Sequence, residues 1–260
     1  VRDAAVTAKD DRIRWIELPG STESRPRVYL HGLGASSGPM FTAAAVHPAL
    51  AGPRALLLDL LGFGISDRPE DFPYTLEAHA DAVAVALEAA GVTSADVVAH
   101  SMGGSVAIVL AHRHPSLVTR LVLVDANLDA QVPDRGRPGS SGIATYTEEE
   151  FLAGGHREVR DRVGPHWWAT MRLAGRVGLH RSAVALARGS EPVMRELLLG
   201  LRVPRTFLYP EADGAPGRAE ELTAAGVSLV AVPDCGHNIM LDNREAFVRA
   251  TAGALREPRG

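Results

Sequence analysis

The segment Val97-Val98-Ala99-His100-Ser101-Met102-Gly103-Gly104 is where residue types and spacing in this chain point most directly to chemistry. Ser101 stands between small residues two positions away on either side, Ala99 and Gly103, which fits a sharp turn from a strand into a helix. Such a turn strains the backbone, and bulky neighbours would clash. It exposes the hydroxyl, and the helix start behind it offers N–H groups and partial positive charge to a developing oxyanion. The competing role for Ser101 is that of an ordinary helix N-cap, where serine is favoured.

Three other segments supply partners. His31-Gly32-Leu33-Gly34 follows a predicted strand, and acyl transfer needs a second oxyanion donor from another loop at the same sheet edge. The expected donors are the backbone N–H groups of Leu33 and Met102, with Gly32 allowing close approach of the backbone to substrate. Asp234-Cys235-Gly236-His237-Asn238 follows the last predicted strand and offers His237 as general base. Phe207-Leu208-Tyr209-Pro210-Glu211-Ala212-Asp213-Gly214 offers the acid that would orient the imidazole. Asp213 ranks first, ahead of Asp125 at the end of the strand 121–124 and of Glu211. Ser101, Asp213 and His237 are thus the expected catalytic residues.

A rival reading makes Gly32-x-Gly34 a dinucleotide fingerprint, with Asp59 on the ribose. It requires a third glycine after two residues, whereas Gly38 follows Gly34 after three. A nicotinamide-linked oxidoreductase is therefore disfavoured.

These residues need a sheet to hold them. Short apolar runs at 13–18, 27–30, 55–58, 97–99, 121–124, 206–209 and 229–232 read as strands, several of them bounded by Gly, Asp or Asn. Helical periodicity covers 75–90, 102–113 and 244–255. The alternation predicts an α/β fold, a mostly parallel sheet with helices on both faces. It breaks at 127–202, where short helical pieces at 148–153, 158–174 and 193–201 follow a Pro/Gly/Ser-rich linker. The expected organisation is a core of 1–126 and 203–260 with a helical cap at 127–202. Trp167, Trp168 and Met171 of this cap, together with Gly32, are the expected pocket lining.

The 260 residues are 46% apolar and 22% charged, with a net charge of −4, as expected for a folded globular chain. No basic stripe suggests nucleic acid, and the apolar runs are too short to span a membrane. Val1 to Asp11 lacks an apolar signal-peptide core, and the one cysteine, Cys235, excludes an internal disulfide or a cysteine cluster for metal. A cytoplasmic enzyme acting on a small-molecule substrate is expected, with no metal or organic cofactor required.

Taken together, the His31 loop, the Ser101 turn, the Asp213 segment and the His237 loop resemble the α/β-hydrolase superfamily, whose order is nucleophile, acid, histidine. Asp59-Leu60-Leu61-Gly62-Phe63-Gly64-Ile65-Ser66 resembles that superfamily's Asp-x-Pro-Gly-x-Gly-x-Ser loop, with Leu61 in place of proline. Ser66 and Asp67 are expected to brace it. Ala99 replaces the first glycine of the serine turn, and Pro210 stands where Gly is common before the acid. The resemblance implies hydrolysis of an ester or related acyl bond through an acyl-enzyme, closest in pattern to carboxylesterase and carbon–carbon hydrolase branches. It disfavours the branches with an Asp nucleophile. Carbon–carbon bond hydrolysis, lactone hydrolysis and a receptor-like binding role on the same fold are the alternatives.

Overall fold

In the computed structural model, which describes residues 1–256, eight strands form one sheet in the order β1-β2-β4-β3-β5-β6-β7-β8. The strands are β1 (Arg2–Ala5), β2 (Arg12–Leu18), β3 (Arg27–Leu30), β4 (Ala55–Asp59), β5 (Ala95–His100), β6 (Val118–Val124), β7 (Arg205–Pro210) and β8 (Val227–Val232). β2 runs antiparallel to both of its neighbours, and every other pair is parallel. The expected α/β class holds. β1 was not expected: its sequence, Arg-Asp-Ala-Ala, lacks an apolar run, and as an edge strand it buries only Ala4.

Side chains alternate between the two faces. Val28, Leu30, Leu56, Leu58, Val97, Ala99, Leu121 and Leu123 share one apolar cluster, whereas Tyr29, Leu57, Val98, Val122 and Val124 belong to another. Helices α1 (Ser37–Ala45), α2 (Leu76–Ala89) and α3 (Met102–Arg113) follow β3, β4 and β5. The second cluster includes α1 residues Phe41 and Ala44, and the first includes Val83 and Leu87 of α2 and Val106 and Leu110 of α3. Thr75 caps α2 by accepting from Ala78 N–H at 3.1 Å, and Gly91 (φ 71°) follows the helix in the left-handed region.

The chain leaves neighbouring strands β3 and β5 toward opposite faces, through α1 and α3. Their carboxyl ends therefore part and leave a crevice at a topological switch point, where open α/β sheets bind ligands.

Between β6 and β7 lie only helices: α4 (Ser140–Ile143), α5 (Glu148–Glu150), α6 (His156–Met171), α7 (Arg176–Arg188) and α8 (Met194–Gly200), with a π-helical turn, Phe151–Gly155, leading into α6. A kink at Gly164 (φ 76°) before Pro165 divides α6. The sequence reading did not anticipate α7. After β7 come α9 (Ala219–Ala224), α10 (Ile239–Asp242) and α11 (Arg244–Ala254), the last capped by Asn243. The final four residues of the expected core segment 203–260 lie outside the described residues. Among those described, no helix is long and apolar enough to cross a membrane.

Candidate active site

Ser101 sits at φ 50°, ψ −122°, in the region L-residues rarely adopt, between the end of β5 and the first turn of α3. The turn is pinned at both ends: Ser101 N–H donates to Val124 O at 3.0 Å, and Gly104 N–H to Ser101 O at 2.9 Å. The small residues around it are required by contact. A Cβ on Gly103 would lie 2.4 Å from His31 O, and one on Gly32 would lie 3.0 Å from Ser101 Cβ. The loop after β3 therefore touches the serine turn directly. Ala99, where the motif has glycine, directs its methyl into the apolar core and disturbs neither contact.

The Leu33 N–H has no backbone acceptor among the described residues. Met102 is the first residue of α3, where an amide has no acceptor one turn back. Leu33 O in turn accepts from Trp167 Nε1 at 3.2 Å, which ties α6 to this loop.

His31 makes the loop rigid. Leu60 N–H donates to its Nε2 at 3.0 Å, so the ring proton lies on Nδ1 and is donated to Gly32 O at 2.7 Å. Burial holds its pKa below the ordinary histidine value, against the opposing pull of Asp59. The Asp59 carboxylate accepts from Ser36 Oγ, Ser37 N–H and Ile65 N–H at 2.7–2.9 Å, and a Cβ on Gly64 would overlap it. Enclosed in this way, Asp59 braces two loops and offers nothing to a ribose. Ser66 and Asp67 brace the same loop: Ser66 Oγ donates to Asp59 O at 2.6 Å, and Asp67 accepts from Arg12 N–H at 2.8 Å.

The acidic partner of His237 differs from the expected one. His237 Nδ1 donates to Asp125 Oδ2 at 2.6 Å. Asp213 and Glu211 lie in a single 3₁₀ turn after β7 with exposed side chains, and neither bonds His237 among the described residues. The reason is positional. β6 is the immediate neighbour of the strand that carries Ser101, and Asp125 leaves β6 at φ 44°, held by its N–H to Leu208 O at 2.8 Å.

Two site residues were not singled out by the sequence. His100 Nε2 donates to the carbonyl oxygen of His237 at 2.9 Å, with the two rings 4.5 Å apart. Burial, reinforced by the neighbouring His237, pushes its pKa well down, so it stays neutral. Asn127 Oδ1 accepts from Ser101 Oγ at 3.3 Å. The serine hydroxyl thus rests on Asn127, while His237 faces the same cavity.

That cavity, of about 660 Å³, opens above Ser101. Gly32 and Trp167 of the expected lining face it, alongside Leu33, Asn127, Gln131 and Arg137. Trp168 and Met171 do not. Met171 packs on Gly34, whose added Cβ would meet its side chain at 3.0 Å, and both Trp168 and Met171 face a separate hollow. Residues three apart share a helix face, so Trp167 and Thr170 turn toward Ser101 while Trp168 and Met171 turn away.

A family model described as the alpha/beta hydrolase fold matches residues 28–148. The chain has the α/β-hydrolase fold. The chain is 38% identical over 102 residues to a 2-hydroxymuconate semialdehyde hydrolase of Pseudomonas putida. That match covers 39% of this chain and only 36% of the relative's own length. Among solved structures, it is similar to an enol-lactonase from Burkholderia xenovorans, with a TM-score of 0.79 and 20% identity over 98% of this chain and 100% of that one. An esterase from Exiguobacterium antarcticum gives 0.77 and 21% over 96% and 97%. Likeness at this level of identity shows the shared fold. The match to the family model includes the His31 loop and the Ser101 turn, the two segments pressed together beneath the cavity.

Proposed function

We propose that this α/β hydrolase is a serine hydrolase that cleaves an ester or related acyl bond of a small, largely apolar substrate. The observation that carries this reading is the strained Ser101 turn opening into the large cavity, with the His237–Asp125 pair on the rim of the same cavity. In the proposed reaction the Ser101 hydroxyl leaves Asn127 and gives its proton to His237 Nε2 as Oγ attacks the carbonyl carbon. The oxyanion gathers on the N–H groups of Leu33 and Met102. His237 then passes the proton to the leaving oxygen, and the carbon–oxygen bond breaks to leave an acyl-Ser101 ester. Water, deprotonated by His237, cleaves that ester and restores the serine. Asp125 holds the imidazole with its proton on Nδ1 and stabilises the imidazolium. Residues 127–202 act as a cap, and Trp167 lies where it both walls the cavity and steadies the Leu33 loop.

A second reading, lactone or carbon–carbon bond hydrolysis by the same residues, is favoured by the activities in the names of the relatives above and by Arg137 and Gln131 on the cap side of the cavity. A fluorophosphonate probe followed by peptide mapping tests the nucleophile: Ser101 is expected to be labelled in the folded protein and not in Ser101→Ala. A panel of p-nitrophenyl esters and lactones separates the two readings. Absence of both labelling and turnover would overturn them together.

A further inference from the structure

On the side of α6 away from Trp167 is a second hollow, of about 300 Å³, that the proposed chemistry does not use. Arg157, Arg160, Arg172 and Arg176 all line it, and among the described residues no carboxylate does. Trp168 and Met171 supply an apolar wall. Arg157 and Arg160 are three residues apart on α6, and Arg176 is the first residue of α7.

The charges are unevenly matched. Arg160 pairs with Asp161 at 2.7 Å, and Arg172 Nε donates to Ala169 O at 3.2 Å. Arg157 and Arg176 have no hydrogen-bond or ion-pair partner among the described residues. Some arginines elsewhere are paired, as in Arg113–Asp81, Arg181–Glu148 and Arg195–Asp129, whereas others, such as Arg188, Arg202 and Arg249, have no partner among the described residues. The start of α7 adds to the imbalance. Its first turn holds no acid, its N-cap Gly175 has no side chain to cap with, and Arg176 stands at the positive end of the helix dipole. Arg157, Arg172 and Arg176 leave three like charges without a carboxylate around one concavity, which favours entry of an anion, and guanidinium forks match the oxygens of a phosphate.

We propose that this second hollow binds a small organic phosphate, with the phosphate on Arg157 and Arg176 and the apolar part against Trp168 and Met171. The site is separate from Ser101: α6 forms a wall of both spaces, with Trp167 facing one and Trp168 the other.

Titration calorimetry at constant ionic strength, with inorganic phosphate and phenyl phosphate as probes, tests the site. Phenyl phosphate is expected to bind about tenfold more tightly than inorganic phosphate, because only it reaches the apolar wall. Arg157→Gln/Arg176→Gln is expected to weaken both by about tenfold or more, and the Arg157→Lys/Arg176→Lys variant to recover part of the loss. Arg249→Gln, on α11, is expected to leave both unchanged, and the Gln double variant to hydrolyse a neutral short-chain ester at the parental rate. Equal binding by the double variant and the parent, an equal loss in Arg249→Gln, or no binding at millimolar probe would overturn the proposal. Equal affinity for the two probes would overturn its organic part. None of these readings depends on Ser101 being the nucleophile, since binding is measured without turnover.

Discussion

The carboxyl edge of the sheet and the helices that cover it are held by different means. At the edge, buried polar groups are matched to particular partners: Asp59 to three donors, both nitrogens of His31, and His100 Nε2 to the carbonyl of His237, with His100 Nδ1 left unpaired. Glycines 32, 64 and 103 leave no room for a Cβ. The 127–202 segment is tied down at scattered points, among them Trp167 to Leu33, Ser182 to His79, Leu173 to Arg68, Gly175 to Gly62 and Arg181 to Glu70, and by apolar side chains such as Phe151, Leu186 and Leu198 that join the core. It also contains a kink at Gly164 and a π-helical turn. An edge fixed in this way suits chemistry, which tolerates little displacement. A cover held by scattered bonds and apolar packing suits selection among substrates, because its cavity-facing residues can change without disturbing the turn beneath.

Substitutions can sharpen or break that contrast. The largest effect is expected from Ser101→Ala, a fall of about 10⁵-fold or more in kcat for ester hydrolysis, with the thermal midpoint unchanged because Oγ gives up only a long bond to Asn127. The second concerns the buried histidines at and beneath the edge. Burial lowers the pKa of His31, His79 and His100, that of His79 to about 3. The folded chain keeps them neutral where the unfolded chain takes up protons, so stability falls as pH drops below about 6.5. His79 and His100 together shift the unfolding equilibrium by about thirtyfold over the first pH unit, measurable by urea titration at pH 6.5 and 5.5. A pH-independent midpoint over that range would contradict the burial argument.

Third, His100→Ala is expected to lower kcat about 10- to 100-fold with a smaller change in KM, because it releases the backbone carbonyl of His237. Partial recovery of kcat in His100→Gln, which restores a donor, would distinguish positioning from general destabilisation. The smallest effect belongs to the cover: Trp167→Phe should change kcat/KM for bulky esters a few-fold, and Trp168→Phe not at all. An equal loss in both would erase the distinction between the two faces of α6.

What the sequence revealed follows the same division. Strand 27–30 and helix 102–113 coincide with β3 and α3, because an apolar run and a helical stretch ended just before Pro115 are both local signals. The Ser101 turn was legible because sterics forces small residues around it. The carboxylate that bonds His237 was not, because Asp125 and Asp213 both follow strands at one edge and local sequence carries no trace of which faces His237. That depends on β6 lying beside β5 and on the backbone at Asp125 adopting φ 44°. The roles of Trp168 and Met171 were hidden for a related reason: which face of α6 meets the cavity is set by the packing of Met171 on Gly34.

The most direct test of the account is a parallel measurement of kcat/KM for Asp125→Asn and Asp213→Asn with one good ester substrate. The His237–Asp125 hydrogen bond predicts a loss of about 10³- to 10⁴-fold for Asp125→Asn, and less than about threefold for Asp213→Asn. The opposite result, with Asp213→Asn inactive and Asp125→Asn near the parental rate, would contradict it.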